Sequence, residues 1–214
     1  MKKIVIGVLA SAVFWLASPA MAVPIVSGQT NVQVTAPLAD LGITPALLGG
    51  DLVSADPLTL GFGVTGGDLD FTTLAGTIEH VGASISLTGD LGTVDTSDDV
   101  TVILSDFLIN TTTAILSADV NGGGMVDIFS LDFTGLDAAA ITDLANPQIS
   151  LTFLDAASAL LESTFQLATG TLTGAQFGLA ATAPVPAVVS EPTIFSLLAA
   201  GMLGLVLYRS RSRT

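Results

Sequence analysis

The side chains that could do chemistry in this chain are few. It has one histidine, His80, next to Glu79, and no cysteine. A hydrolytic triad needs a base held beside a nucleophile and a third group to orient that base. A zinc site needs several His or Cys ligands. A lone histidine inside a β-patterned run supplies neither, so His80 reads as a structural residue at the surface or half-buried. Carboxylates are more plentiful. Asp95, Asp98 and Asp99 lie within five residues, and Asp119-x-Asn121 is followed by three glycines and Asp127. Clustered oxygen ligands of this kind suit Ca2+, although Ser130 stands where the bidentate Glu that closes a calcium loop belongs. Those six residues are the candidate metal ligands, with solvated turns as the alternative reading, and no cofactor besides calcium is suggested. A pair of carboxylates could also serve a glycan hydrolase, but no Trp or Tyr occurs between residues 23 and 190 to stack a sugar ring. The expectation is a protein that is not an enzyme.

The elements that would position these groups are mostly strands. Residues 31–35, 58–64, 68–74, 77–81, 84–88, 100–109, 114–120, 125–133, 149–154 and 176–180 are β-branched or alternating runs, the signature of half-buried strands. Gly66-Gly67, Gly89-Asp90 and Asn121-Gly122-Gly123-Gly124 punctuate them with turn chemistry, and 114–120 with 125–133 form the clearest hairpin. Two short helices are predicted: 137–145, stopped by Asn146-Pro147, and one capped by Asp155 and running to about residue 167, with Leu160, Leu161, Thr164 and Phe165 as its apolar stripe. A further helical turn is expected to start at Thr44-Pro45. The eight phenylalanines of this region read as core. The predicted fold is all-β, a sandwich or roll of about ten strands with two or three short peripheral helices. A β-solenoid is the alternative, though no fixed repeat supports it.

Charge divides the chain more sharply than pattern does. All five basic residues sit at its ends, Lys2 and Lys3 at one and Arg209, Arg211 and Arg213 at the other, while 18 Asp or Glu and no Lys or Arg fall between residues 23 and 190. Such acidity repels nucleic acid and anionic surfaces. It is also expected to raise carboxylate pKa values through like-charge crowding, so that stability would rise as the pH falls from neutral. Basic residues beside an apolar span stay cytoplasmic, so the segment between the two clusters is expected to be exported. Residues 1–22 read as a signal peptide, with small residues Ala20 and Ala22 at the positions a signal peptidase reads and cleavage after Ala22.

At the other end, Ser190-Glu191-Pro192 precedes an uncharged stretch, 193–208, and then the Arg209, Arg211 and Arg213 tail. This order of short motif, hydrophobic helix and arginine-rich tail resembles the PEP-CTERM sorting signal of Gram-negative bacteria, with Ser190 in place of the first proline. The resemblance implies recognition by a membrane-embedded exosortase and a carrier linked to extracellular polysaccharide and biofilm. The domains expected are thus the signal peptide, an acidic β-rich domain over 23–180, a Pro/Ala spacer over 181–189, and a sorting signal over 190–214 with a membrane helix at 193–208. The partners implied are the exosortase, signal peptidase, the inner membrane transiently and extracellular polysaccharide. Localisation would be a transient inner-membrane anchor followed by the cell surface or the exterior.

The domain itself carries a second resemblance. Residues 101–120, with Leu104-Ser105-Asp106 and Leu116-Ser117-Ala118-Asp119, then Ile149-Ser150-Leu151-Thr152 and an Ala/Leu-rich helix leading into Gly174, are similar in layout to HtaA-type β-rich domains. These include surface haem-uptake modules that ligate iron through aromatic and His side chains. The resemblance implies a fold, and it keeps a haem-binding surface module among the alternative functions, beside a calcium-binding module and a carboxylate-dependent glycan hydrolase. The domain has no Tyr, and His80 lies outside the similar stretch.

Overall fold

The structure, a computed structural model, describes residues 22–89, 91 and 98–188. Ala20, Asp95, Ser190, Glu191, Pro192, Arg209, Arg211 and Arg213, and with them nearly all of the expected signal peptide and the whole sorting signal, lie outside those residues. Among the described residues eleven strands are formed: β1 (Val23–Val34), β2 (Ile43–Gly49), β3 (Asp51–Ala55), β4 (Leu58–Gly63), β5 (Gly66–Leu69), β6 (Gly76–Gly89), β7 (Val100–Asn110), β8 (Ile115–Val120), β9 (Met125–Asp132), β10 (Ile149–Phe153) and β11 (Gln176–Pro186). Helix α1 spans Ala138–Thr142 and α2 spans Asp155–Thr164, and a 3-10 turn covers Leu38–Leu41.

The strands make one antiparallel sheet that closes on itself. From β5 to β11 each strand pairs with the next in the chain, and β1 pairs with β11 along one edge and with β5 at its start along the other. The far halves of β1 and β6 instead pair with β4 and β2, and β3 adds to β4. The result is an all-β roll, as expected, and not a solenoid. Closure leaves β1 and β11 without free edges. It also turns one side chain in two towards a common interior, which is why the alternation was legible.

Two runs read as separate strands, 77–81 and 84–88, are one long strand. β6 is interrupted by a bulge where the register against β7 shifts between His80 and Ser84, with Gly82 at φ 83° donating its N–H to Asp106 Oδ1 at 2.7 Å. A bulge inserts an extra residue and breaks the period. The predicted hairpin β8–β9 is present, and Asn121 and Gly122 take the positive φ its turn requires.

Several expectations need correction. Thr44-Pro45 begins no helix. Both belong to β2, whose Ile43, Pro45 and Leu47 alternate inward and whose pairing is with β6 alone, so the missing N–H of Pro45 costs nothing at an edge. β3 went unread because it is exposed and does not alternate. The spacer begins later than residue 181: Ala181 to Pro186 complete β11, pairing with β1 from Asn31 to Ile25, and Ala181 and Thr182 are buried. Helix α2 takes Leu154, not Asp155, as its N-cap; Asp155 sits in the first turn, where its charge favours the helix dipole. Its buried face is Ala157, Ser158, Leu161, Glu162 and Phe165, with Leu160 exposed. Helix α1 starts as expected, Asp137 accepting the Ala140 N–H at 2.8 Å, but ends at Thr142.

Six phenylalanines are buried as expected, and three of them form a cluster with ring centroids 4.8 to 5.7 Å apart, Phe129, Phe153 and Phe177. Phe62 packs on Phe107 at 5.3 Å. Phe71 and Phe133 differ: the first is exposed and the second half-buried. Every buried hydrophobic residue described lies between Ile25 and Ala181, and the strand pair that closes the roll, β1 with β11, lies within residues 23–186.

Candidate functional site

A cavity of about 320 Å3 lies inside the roll, within the range of small-molecule sites. Ile78, Leu116, Leu131, Ile149 and Leu151 make its buried wall. Its mouth is made by two short segments. On one side the β5–β6 turn presents Phe71, Thr73 and Leu74; on the other, the chain from β9 into α1 presents Phe133, Leu136 and Thr142. Both segments are held by carboxylates. Asp70 Oδ1 accepts the Thr72 N–H at 2.8 Å and Oδ2 accepts the Thr73 hydroxyl at 2.8 Å, which holds the Asp70 carboxyl below its usual pKa, the Thr72 N–H contributing most. Asp137 caps α1, and Asn31 donates to the Leu144 carbonyl at 2.8 Å, tying the loop beyond α1 to β1.

A buried polar chain meets the cavity wall. Thr30 of β1 and Thr182 of β11 are register partners, and Thr30 donates its hydroxyl hydrogen to Thr182 Oγ1 at 2.8 Å. His80 Nε2 lies 2.8 Å from the same Thr30 oxygen. With its hydrogen already given away, that oxygen can only accept, so the network assigns the hydrogen to Nε2 and leaves Nδ1 a bare acceptor. Nδ1 is buried with no hydrogen-bond partner. It adjoins a second void of only about 30 Å3 among Phe62, Phe107, Phe129 and Phe177. Burial lowers the His80 pKa to about 4; the Phe107 backbone pulls the other way without forming a bond of good geometry. The imidazole is therefore neutral at pH 7. Thr182, last in the relay, lines the large cavity, and no acceptor among the described residues takes its own hydroxyl hydrogen.

His80 is thus wholly buried rather than a surface or half-buried residue, and Glu79 beside it is exposed. Thr30 and His80 have the separation of a nucleophile and its base. Yet Thr30 is buried and donates its hydroxyl hydrogen bond to Thr182, and among the described residues His80 has no carboxylate on Nδ1, so the pair lacks what activation requires. Among the described residues, no Asp or Glu lines the large cavity.

Of the candidate ligands, Asp119, Asn121 and Asp127 are used as turn and cross-strand partners. Asp119 Oδ2 accepts the Gly124 N–H at 3.2 Å, Asn121 Oδ1 accepts the Ile103 N–H at 2.8 Å, and Asp127 Oδ1 accepts the Ser117 hydroxyl at 2.6 Å. Asp98 is exposed and Asp99 half-buried. Among the described residues no three His, Asp or Glu side chains come together as a metal would need. Elsewhere Glu162 of α2 accepts the N–H groups of Leu172 at 2.7 Å and Gly170 at 2.9 Å, which lowers its pKa, Leu172 contributing most; Asp132 is lowered chiefly by the Thr134 side chain. At these three carboxylates local donors outweigh the like-charge crowding expected from composition.

Thr30 and Thr182 were not singled out from sequence. Their pairing is invisible there, since Thr182 falls in the stretch read as a spacer.

A closed antiparallel roll with an apolar interior cavity is the class of fold these features define. The C-terminal domain of HtaA from Corynebacterium glutamicum, known from a crystal structure, is similar to it with a TM-score of 0.53 at 16% identity, over 76% of this chain and 98% of that domain. The likeness shows the fold, in line with the layout resemblance. No protein-family model matches the chain. No curated protein matches it either. The haem that the resemblance implies does not fit the residues present: His80 is buried with Nε2 committed to Thr30, and the domain has no Tyr.

Proposed function

We propose that the chain is an exported, non-catalytic binding module of the cell surface or extracellular matrix. The observation that carries the reading is the apolar cavity inside a closed roll, beside a His80–Thr30 pair that cannot act as base and nucleophile. A protected cavity without a catalytic constellation in its wall is built to hold a molecule, not to transform one. The HtaA-like fold is compatible with that use.

The address comes from the sequence. Signal peptidase removes residues 1–22, cutting after Ala22; the span 193–208 anchors the chain transiently in the inner membrane; an exosortase-like enzyme reads Ser190, Glu191 and Pro192 while Arg209, Arg211 and Arg213 hold the tail in the cytoplasm. The released module then resides in the polysaccharide-rich exterior, and its charge keeps it from nucleic acid. Ca2+ bound by Asp95, Asp98 and Asp99, or by Asp119, Asn121 and Asp127, is a secondary proposal.

Mass spectrometry of the protein recovered from the surface of its host tests the reading. A mature form starting at Val23 and lacking 209–214 is expected, and Arg209, Arg211 and Arg213 all changed to Gln should slow that processing in a pulse-chase. Recovery in the cytoplasm with both ends intact would refute it.

A further inference from the structure

The large cavity is selective by what its wall lacks. Among the described residues, the polar ones that line it are all threonines, Thr30, Thr73, Thr111, Thr142 and Thr182, with no charged residue and no histidine. An ion entering it would leave water without a counter-charge, at a cost that nothing in the wall offsets. Anions face a further obstacle, because the chain from residue 23 to 190 has 18 carboxylates and no Lys or Arg. The occupant is therefore neutral. Volume sets its size: about 320 Å3 is roughly twice the ~150 Å3 apolar cavity that takes benzene, so it fits about a dozen heavy atoms. A diacyl lipid is several times too large. One directional contact is on offer, since the Thr182 hydroxyl hydrogen at the end of the His80–Thr30–Thr182 relay has no acceptor among the described residues.

We infer that this cavity binds a neutral, mainly hydrocarbon small molecule carrying one hydrogen-bond-accepting oxygen, such as a medium-chain ketone, with that oxygen taking the hydrogen of Thr182. The relay orders the donor. His80 Nε2–H fixes Thr30, and Thr30 fixes the Thr182 oxygen, so the remaining hydrogen points away from both. The inference rests on reading the roll as a binding module.

Residues 23–188, which hold all eleven strands and the core of the described residues, are titrated with 2-decanone, decane, decanoate and decylamine at neutral pH. Binding is read from the methyl NMR shifts of Ile78, Ile109 and Ile149, all in the cavity wall. 2-Decanone should shift these methyls and bind about three- to tenfold more tightly than decane, the range of one net hydrogen bond. The two charged probes should leave them unmoved. Thr182→Val, checked for fold by circular dichroism, should bring the ketone down to the affinity of decane without changing decane itself. If that variant does not fold, the ketone-over-decane preference of the unaltered segment decides alone. Silence of the methyls towards both neutral probes, equal binding of decanoate, or a preference that survives in Thr182→Val would each overturn the proposal. Such a failure in a protein still found at the cell surface removes the ligand class and leaves the exported role standing, whereas cytoplasmic retention removes the exported role whatever the cavity binds.

Discussion

Mild acid should weaken this fold through His80 alone, before its carboxylates protonate. The imidazole is buried, its Nδ1 has no partner, and its pKa is lowered from 6.5 to about 4. Between those values the unfolded chain binds a proton that the folded chain refuses, so stability is full above pH 6.5 and falls as the pH drops towards 4. At 1.36 kcal/mol per pKa unit the loss by about pH 4.5 is roughly 2–3 kcal/mol, a large share of the ~5–15 kcal/mol of a typical domain. The pH-independent reference is His80→Phe, whose ring the adjacent void of about 30 Å3 helps to accommodate. Urea unfolding of residues 23–188 should be followed by circular dichroism, since the segment has no Trp or Tyr for fluorescence. The variant should lie within about 1 kcal/mol of the parent near pH 7, where losing the bond to Thr30 is offset by removing an orphaned acceptor. Near pH 4.5 it should be the more stable of the two by roughly 2–3 kcal/mol. Asp70, Asp132 and Glu162, whose pKa values are also lowered, act in the same direction but at lower pH, and equally in both proteins. Equal losses in parent and variant would refute the reasoning, because they would mean that His80 titrates as freely in the folded state as in the unfolded one.

Three other outcomes follow from particular residues. Gly76 has φ 150° and its Cβ position would collide with the Asp68 carbonyl, so Gly76→Ala should cost roughly 2–4 kcal/mol in urea unfolding. Glu162→Gln should speed amide exchange at Gly170 and Leu172, the two N–H groups its carboxylate holds, and leave exchange in β7 unchanged. The mature protein, if processed at both ends, keeps neither Trp15 nor Tyr208 and should show almost no near-ultraviolet absorbance beside a normal peptide band; strong absorbance would reveal a retained end or a bound chromophore.

Strands were legible where one face is buried and period two survives, as in β10, whose Ile149, Leu151 and Phe153 face inward. They were lost where the pattern competes with local chemistry. Pro45 suggested a helix start, but an edge strand tolerates it; the small residues of 181–186 looked like a spacer, yet Ala181 and Thr182 complete the interior against β1. The site was the least legible part. A cavity is a property of facing strands distant in sequence, and Thr30 and Thr182 are 152 residues apart. Phe71 and Phe133 looked like core because their spacing is right, but both sit where the roll opens.

The position of the cavity follows from where this sequence spends its aromatic residues. A closed roll encloses a fixed volume that its inward side chains must fill to near-crystalline density. With no Trp or Tyr in the domain, only phenylalanine offers that bulk. Where Phe62, Phe107, Phe129 and Phe177 converge, the residual void is about 30 Å3. Where the described wall is mainly Ile, Leu, Val, Ala and Thr, and its phenylalanines, Phe71 and Phe133, stand at the mouth, it is about 320 Å3. Left empty, that volume is expensive. At about 24 cal/mol per Å3 it amounts to something on the order of 8 kcal/mol, comparable to the whole net stability of a domain, and the open mouth discounts only part of it. Filling the same space with one further aromatic side chain would be a small change in sequence. On the proposed reading, a fold that forgoes it, while placing on the wall a hydroxyl hydrogen with no acceptor among the described residues, recovers the lost contacts when a ligand enters, and this coupling of stability to occupancy is what separates a binding cavity from a packing defect.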